Sequence, residues 1–217
     1  MNGNKYYFDY LVIAGGKVPD QKFCRQVMRR STHLVTVDRG IVVAKNLKLK
    51  PILHVGDGDS VDSNMVSKVN PTSVIKLPPK KAISDLEYAI NLLPKTSKKI
   101  VLGAHRDHEG RTDHLYVNLL IAQKYPNLVL ADENNWITSI SRSKLSFSVS
   151  KKTLFTVTSF NRSKISVKGS EYNLKNKVFY HPSLGLSNRT LDEWVQIQSR
   201  GLALIFVSSN ILNARVC

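Results

Sequence analysis

The chain has 217 residues, 42% of them hydrophobic, enough apolar surface for one or two compact domains and too much for a disordered chain. Its two cysteines, Cys24 and Cys217, make neither a disulfide framework nor a zinc pattern, which fits a reducing compartment. Lysine and arginine number 32 against 16 acidic residues, a net charge of +16, yet no arginine-rich arm or aromatic interleaving accompanies them; a basic solvated surface is expected, and nucleic acid is not the expected partner.

Residues Met1 to Tyr10 lack the charged-then-apolar layout of a signal peptide. No apolar run approaches the ~20 residues of a membrane helix. The expected location is therefore cytoplasmic, away from membranes.

Along the first 130 residues, strand-like and helix-like stretches alternate. Tyr10–Ala14 is a continuous apolar run closed by Gly15-Gly16, as a buried parallel strand and tight turn require. Phe23, Val27 and Met28 follow at helical spacing. Leu34–Val37, a short helical stretch, Ile52–Val55 and Val74-Ile75 come next. The spacing of Leu86, Ala89, Ile90 and Leu93 predicts a helix over Ser84–Leu93. Ile100–Leu102, a helix over Thr112–Lys124 and Leu128–Leu130 complete the series. Such alternation predicts βαβ units, a mostly parallel sheet with helices on both faces.

After Asp132 the runs become short, β-branched and partly alternating: Ser146–Val149, Leu154–Thr158, Ile165–Val167, Trp194–Ile197 and Leu202–Val207. No helix-length amphipathic run separates them. They predict an antiparallel sandwich or small barrel. The expected division is residues 1–134 as an α/β domain and residues 135–217 as an all-β domain.

In an open α/β sheet, ligands bind beyond the carboxyl ends of the strands. The residues there are Gly15-Gly16, Asp38-Arg39-Gly40, Gly56-Asp57-Gly58-Asp59-Ser60, and a polar loop carrying Arg111 and Asp113. Asp57 and Asp59, two apart with Gly58 between, can turn toward one cation, and magnesium prefers one or two carboxylates plus waters and phosphate oxygens. The same four residues also make a good turn. Gly15-Gly16 is neither a Walker A motif nor a dinucleotide fingerprint; a structural turn and a nucleotide contact both remain open. The histidines of His105–His114 carry no metal-ligand partner in sequence and read as a polar surface loop. No Gly-x-Ser-x-Gly elbow is present.

Taken in order, the motifs resemble the thiamine pyrophosphokinase family over nearly the whole chain. They are Gly56-Asp57-Gly58-Asp59-Ser60, Ser84-Asp85-Leu86-Glu87-Tyr88-Ala89, Glu109-Gly110-Arg111-Thr112-Asp113-His114 with Asn118, Lys168-Gly169 with Tyr172, Leu174 and Asn176, Gly185-Leu186-Ser187-Asn188, and Gly201–Ile205. The resemblance implies a homodimer with its active site between subunits and transfer of a pyrophosphoryl group from ATP to the hydroxyl of thiamine, releasing AMP. It implies that Asp38, Asp57, Asp59 and Asp85 hold Mg²⁺ and the ATP phosphates, with Arg111 assisting. Gly15, Gly16, Asp38 and Gly40 fall to the nucleotide side, and Asp113, Ser187 and Asn188 to thiamine. The catalytic set is thus Asp57, Asp59, Asp85 and Arg111, with Asp59 or Asp85 available to take the hydroxyl proton.

Departures from the family pattern are Gly58 for a phenylalanine, Ala82 for an acid, and Asp38-Arg39-Gly40-Ile41-Val42 for a block with one more glycine and an asparagine. Alternatives are a pyrophosphokinase for another hydroxymethyl acceptor such as a pterin, a thiamine-binding protein without turnover, and a nucleic-acid-binding protein motivated only by charge. A β-domain of this size is also expected to need a second copy to cover Leu154–Val157 and Leu202–Val207.

Overall fold

The structure, a computed structural model, describes residues 7–217 apart from 60, 62, 106–110 and 182. Ser60 of the Gly56–Ser60 motif and most of the His105–Gly110 loop therefore lie outside the described residues. The chain divides into two compact units: residues 7–121 with 130–132, and residues 122–129 with 133–217.

The first unit alternates β1 (Phe8–Ile13), α1 (Gln21–Met28), β2 (Ser31–Val37), α2 (Gly40–Leu47), β3 (Leu53–Gly56), α3 (Ser63–Val69), β4 (Ser73–Lys76), α4 (Asp85–Leu92), β5 (Lys99–Leu102), α5 (Thr112–Lys124) and β6 (Leu128–Ala131). The last residues of α5 and the first half of β6 belong to the second unit. Strand order is β6-β5-β1-β2-β3-β4. The β1–β2, β1–β5, β2–β3 and β3–β4 pairs are all parallel. After running outward from β1 to β4, the chain returns to lay β5 on the other side of β1. The β1/β5 junction is thus the topological switch point, where such sheets open a crevice.

Local chemistry explains these elements. β1, β5 and β6 are continuous apolar runs because both faces are covered; Leu11, Val12, Ile13, Ile100, Val101, Leu102 and Leu130 are all buried. Asp20 caps α1 by accepting from the Phe23 N–H at 2.7 Å, and Ser84 caps α4 by accepting from the Glu87 N–H at 3.2 Å. The helix expected over Ser84–Leu93 is α4 with its two caps. α3 lies in a stretch to which the sequence pattern assigns no element, and it has no buried residue to create one.

The second unit continues with β7 (Trp136–Ser141), β8 (Lys144–Ser148), β9 (Leu154–Thr158), β10 (Lys164–Lys168), β11 (Leu174–Val178), β12 (Asn188–Arg189), β13 (Val195–Ser199), β14 (Leu202–Val207) and β15 (Arg215–Val216). They form two antiparallel arrays, β12-β9-β14-β7 and β11-β10-β13-β8-β15. Strand β13, Val195–Ser199, alternates buried and more exposed positions, the signature of one face turned inward. Phe147 of β8 makes edge-to-face contacts with Trp136 of β7 at 5.5 Å and Phe155 of β9 at 5.7 Å, which joins the two arrays. The buried Trp136 indole N–H donates to Ser209 Oγ at 3.1 Å.

Leu154–Val157 and Leu202–Val207 were expected to need a second copy to cover them. Within the single chain Phe155, Val157, Ala203, Leu204, Ile205 and Val207 are already buried, so this physical argument for a dimer does not hold. Among the described residues no helix is long and apolar enough to cross a membrane.

Because Phe147 joins both aromatic contacts, Phe147→Ala should destabilise the fold by about 3–5 kcal/mol. A urea midpoint unchanged within error would show that this ring is not the centre of the β-rich core.

Candidate active site

At the carboxyl ends of β2, β3 and β4 the chain gathers four charged side chains. Lys81, just before α4, places its ammonium 3.1 Å from Asp57 Oδ2 and 2.9 Å from Asp85 Oδ2. All three side chains are mostly buried, at 15%, 19% and 12% exposure for Lys81, Asp57 and Asp85. Asp38 completes the group from the end of β2, and its charge is felt together with those of Asp57, Asp85 and Lys81.

Asp38 is the unusual member. Its φ of 49° is left-handed, which a non-glycine residue adopts only when its surroundings fix it. The Asp38 N–H donates to the Val55 carbonyl at 2.9 Å and anchors the turn to β3. Gly40, two residues on, lets α2 start against β1, since a Cβ there would stand 2.0 Å from the Ile13 carbonyl oxygen. Oδ1 of Asp38 and Oδ1 of Asp85 are buried without a hydrogen-bond partner. Burial, followed by the charges of Asp85 and Asp57, raises the Asp38 pKa from 3.8 to about 7 against the opposing pull of Lys81.

Asp57 behaves oppositely. The Asp59 N–H donates to its Oδ1 at 3.1 Å, and that bond, with Lys81 contributing further, holds its pKa below the ordinary carboxylate value. The Lys81 pKa is raised: burial opposes its charge, but the hydrogen bonds to Asp85 and Asp57 outweigh it. Asp59 itself stands exposed at the loop tip. Lys81 is the site residue that motif reading passed over as part of a block; its signal is a lysine four residues ahead of a helix-opening aspartate.

A cleft of about 480 Å³ opens beside this group at the β1/β5 switch point. Gly15, Gly16, Asp38, Arg39, Asp85 and Asp113 are among its lining residues. The Gly16 N–H donates to the Gly103 carbonyl at 3.2 Å, which closes the glycine turn onto β5. Asn118 of α5 also lines the cleft and donates to the Ala104 carbonyl at 2.9 Å. Arg111 and Asp113 pair with each other, Nη2 to Oδ2 at 2.5 Å, and both are more than half exposed. That pairing lowers the Asp113 pKa.

Ser187 and Asn188 lie in the β-rich unit. Ser187 has a left-handed φ of 59° and donates its N–H to Thr156 Oγ1 at 3.1 Å. Gly185, before it, has no room for a side chain: a Cβ would sit 2.2 Å from the Val157 carbonyl oxygen. The buried Asn188 amide is fully engaged. Its oxygen accepts from the Tyr172 and Arg189 N–H groups at 3.0 and 2.8 Å, and its nitrogen donates to Ser170 Oγ at 3.2 Å and the Tyr172 carbonyl at 2.8 Å. Asn188 therefore fixes the turn that presents Ser187 and has no bond left for a ligand.

Among the described residues no three carboxylates, histidines or cysteines converge closely enough to cage a metal alone. Asp38 Oδ1 and Asp85 Oδ1 are nonetheless buried without a partner in a group whose positive charge comes from Lys81. Such a donor set suits Mg²⁺, which keeps waters and phosphate oxygens in its shell.

An α/β unit followed by an antiparallel β unit is also the fold of a set of solved structures. A thiamin pyrophosphokinase family protein from Enterococcus faecalis is similar with a TM-score of 0.74 at 22% identity, over 93% of this chain and 99% of that one. Thiamin pyrophosphokinase from Candida albicans gives 0.75 at 12% identity, over 94% and 90%, and the yeast enzyme 0.72 at 14%, over 97% and 89%. No curated protein matches by sequence. The family model for the catalytic domain of thiamin pyrophosphokinase matches residues 24–130, which include Asp38, Asp57, Asp59, Asp85, Arg111 and Asp113. Through residues 24–130 the chain carries the catalytic domain of the thiamin pyrophosphokinase family.

The proton on Asp38 is held more tightly in the folded than in the unfolded chain between pH 3.8 and about 7. Stability of the metal-free protein should therefore fall as pH rises through that window. Asp38→Asn should raise the melting temperature in EDTA at about pH 8 and change it little below about pH 4. Equal effects at both pH values would show that Asp38 is not strained by its charge.

Proposed function

We propose that the protein is a thiamine pyrophosphokinase, transferring the pyrophosphoryl group of ATP to the hydroxyl of thiamine with release of AMP. The observation that carries this reading is the Asp38, Asp57, Asp85 and Lys81 group at the carboxyl edge of the sheet, inside the segment matched by the catalytic-domain family.

Transfer of this kind consists mostly of positioning and of neutralising charge on phosphate oxygens. Mg²⁺, when bound, would supply that neutralisation, held by Asp57, Asp85 and the unpaired oxygen of Asp38. Lys81 keeps the carboxylates together and offers a second positive charge to the phosphates. Arg39, exposed on the cleft, is available to pair with phosphate. The glycine turn at Gly15-Gly16 lets the nucleotide approach the backbone. Asp59, exposed and two residues beyond Asp57, is left to accept the hydroxyl proton.

Asp113 and Ser187 hold the acceptor in this reading, and the family resemblance supplies the expectation that Ser187 comes from the second subunit of a homodimer. Asn188, with its amide saturated, acts by positioning Ser187.

The direct test is to supply ATP, Mg²⁺ and thiamine and to follow thiamine diphosphate and AMP. Asp59→Asn should reduce turnover by at least ~100-fold while leaving the fold intact; normal turnover in that variant would remove the loop from the mechanism.

Ser187→Gly, which keeps the left-handed backbone, should weaken apparent affinity for thiamine more than for ATP. Mixed with Asp59→Asn under subunit exchange, it should recover part of the activity. Exchange without recovery would end the shared-site model.

A further inference from the structure

Of the cations that give the chain its net charge of +16, five gather at one end of the β-rich unit. Arg142 lies in the turn between β7 and β8, Arg162 in the loop between β9 and β10, and Arg200 in the turn between β13 and β14. Lys144 opens β8 and Lys164 opens β10. Backbone bonds sew the three turns together. The Arg142 N–H donates to the Gly201 carbonyl at 3.0 Å, the Ser199 N–H to the Ser143 carbonyl at 3.0 Å, and the Arg200 N–H to the Lys164 carbonyl at 2.9 Å. The buried hydroxyls of Ser159 and Ser163 donate to the Leu202 carbonyl at 2.7 and 2.8 Å and pin the β9–β10 loop against β14.

All five cationic residues are exposed, and among the described residues none of them forms an ion pair. Arg142 and Arg162 hold left-handed φ values of 47° and 50°, where glycine or asparagine is the ordinary choice. Long cationic side chains are thus kept at two positions that the backbone would give to a small residue. Nothing nearby balances the charge. From residue 134 to the end of the chain the only acidic side chains are Glu171, Asp192 and Glu193. They sit at the other end of β10: the Asp192 N–H donates to the Gly169 carbonyl at 3.2 Å, Glu171 follows Gly169 by two residues, and Glu193 pairs with Arg215. A cluster so unbalanced attracts polyanions.

Two large rings stand at the same end without being buried. Phe160, two residues before Arg162, is 57% exposed, and Tyr180, just beyond β11, is 65% exposed. The Phe179 N–H donates to the Ser163 carbonyl at 3.2 Å, which brings Tyr180 to the loop. The Arg162 guanidinium then lies 5.6 Å from the centroid of the Tyr180 ring. A nucleic-acid duplex would meet the cations but offer no base faces to the rings. A lipid surface calls for a broad apolar face, and these two rings are the only large exposed hydrophobic side chains on the three turns and the end of β11. An unpaired strand uses both features, phosphates on the cations and bases stacked on the rings.

We infer that this end of the β-rich unit docks single-stranded nucleic acid, with Arg142, Lys144, Arg162, Lys164 and Arg200 along the phosphates and Phe160 and Tyr180 under two bases. The three arginines are too far apart in sequence to read as a basic arm, which is why charge alone gave no such expectation. The surface is independent of the proposed pyrophosphokinase chemistry.

Fluorescence anisotropy of a labelled oligothymidylate of about twelve nucleotides, within the site sizes of such surfaces, tests the inference on the full chain and three variants. Arg142→Gln/Arg162→Gln/Arg200→Gln should bind about tenfold or more weakly. Its slope of log affinity against log salt should be shallower by about 2, since each lost phosphate contact removes about 0.7. Phe160→Ala/Tyr180→Ala should also lose about tenfold or more, with the slope unchanged. Lys45→Gln/Lys48→Gln/Lys50→Gln removes the same charge from exposed positions of the first unit and should cost no more than about threefold. Every substituted residue is exposed, so the fold should persist, and circular dichroism checks it.

Equal losses in the two charge variants would reduce the effect to net charge and overturn the inference. So would a ring variant that binds like the wild type, a duplex of the same length bound as tightly as the strand, or no binding of the strand at low salt. Phosphatidylserine vesicles bound where the strand is not would give the surface to a membrane and overturn it equally.

Discussion

Three carboxylates crowded behind the ends of adjacent strands repel one another, and the ammonium of Lys81 is what allows them to remain there. It bridges Asp57 and Asp85 directly and lowers the cost of the more buried Asp38. Without a cation in that position, burial would drive the carboxylates to take up protons or to separate. The fold supplies the crowding, because strands running parallel put every carboxyl end on the same edge.

The price of this arrangement is carried by Asp38, which combines left-handed backbone, an unpaired buried oxygen and a pKa near 7. Perturbations of this kind cluster at functional sites more often than at structural ones. A structural charge elsewhere in the chain looks different. Lys99, at 2% exposure more deeply buried than Asp38, is satisfied by the carbonyls of Pro94 and Ser97 at 2.7 and 2.9 Å, at the opposite, amino end of β5. Burial lowers its pKa, but no orphan atom is left behind.

In the β-rich unit, polar saturation does the positioning that charge does in the other. Three of the four bonds of Asn188 tie the Ser170–Asn173 turn to β12, and the fourth accepts from Arg189 within that strand. The exposed, left-handed Ser187 follows from that anchor and from the space that Gly185 leaves under Val157. A side chain that matches a binding motif is thus a scaffold, while its neighbour is the one that faces solvent.

Sequence alone determined the features that depend on near neighbours. The alternation of apolar runs set β1 to β6 and four of the five described helices, and the Gly56–Asp59 and Ser84–Asp85 blocks located the acidic edge. It was silent on α3, whose side chains bury nothing, on β7, and on β11, whose Leu-Lys-Asn-Lys-Val looks like a loop until β10 pairs with it. Only the tertiary structure joined Lys81 to Asp57, 24 residues away, His54 to Thr36, 18 away, and Asn188 to Tyr172, 16 away. These partners meet through strand register and crossover direction, which no local spacing records. Burial then decides which of the meeting groups stay charged, which stay neutral and which have no bond to spare.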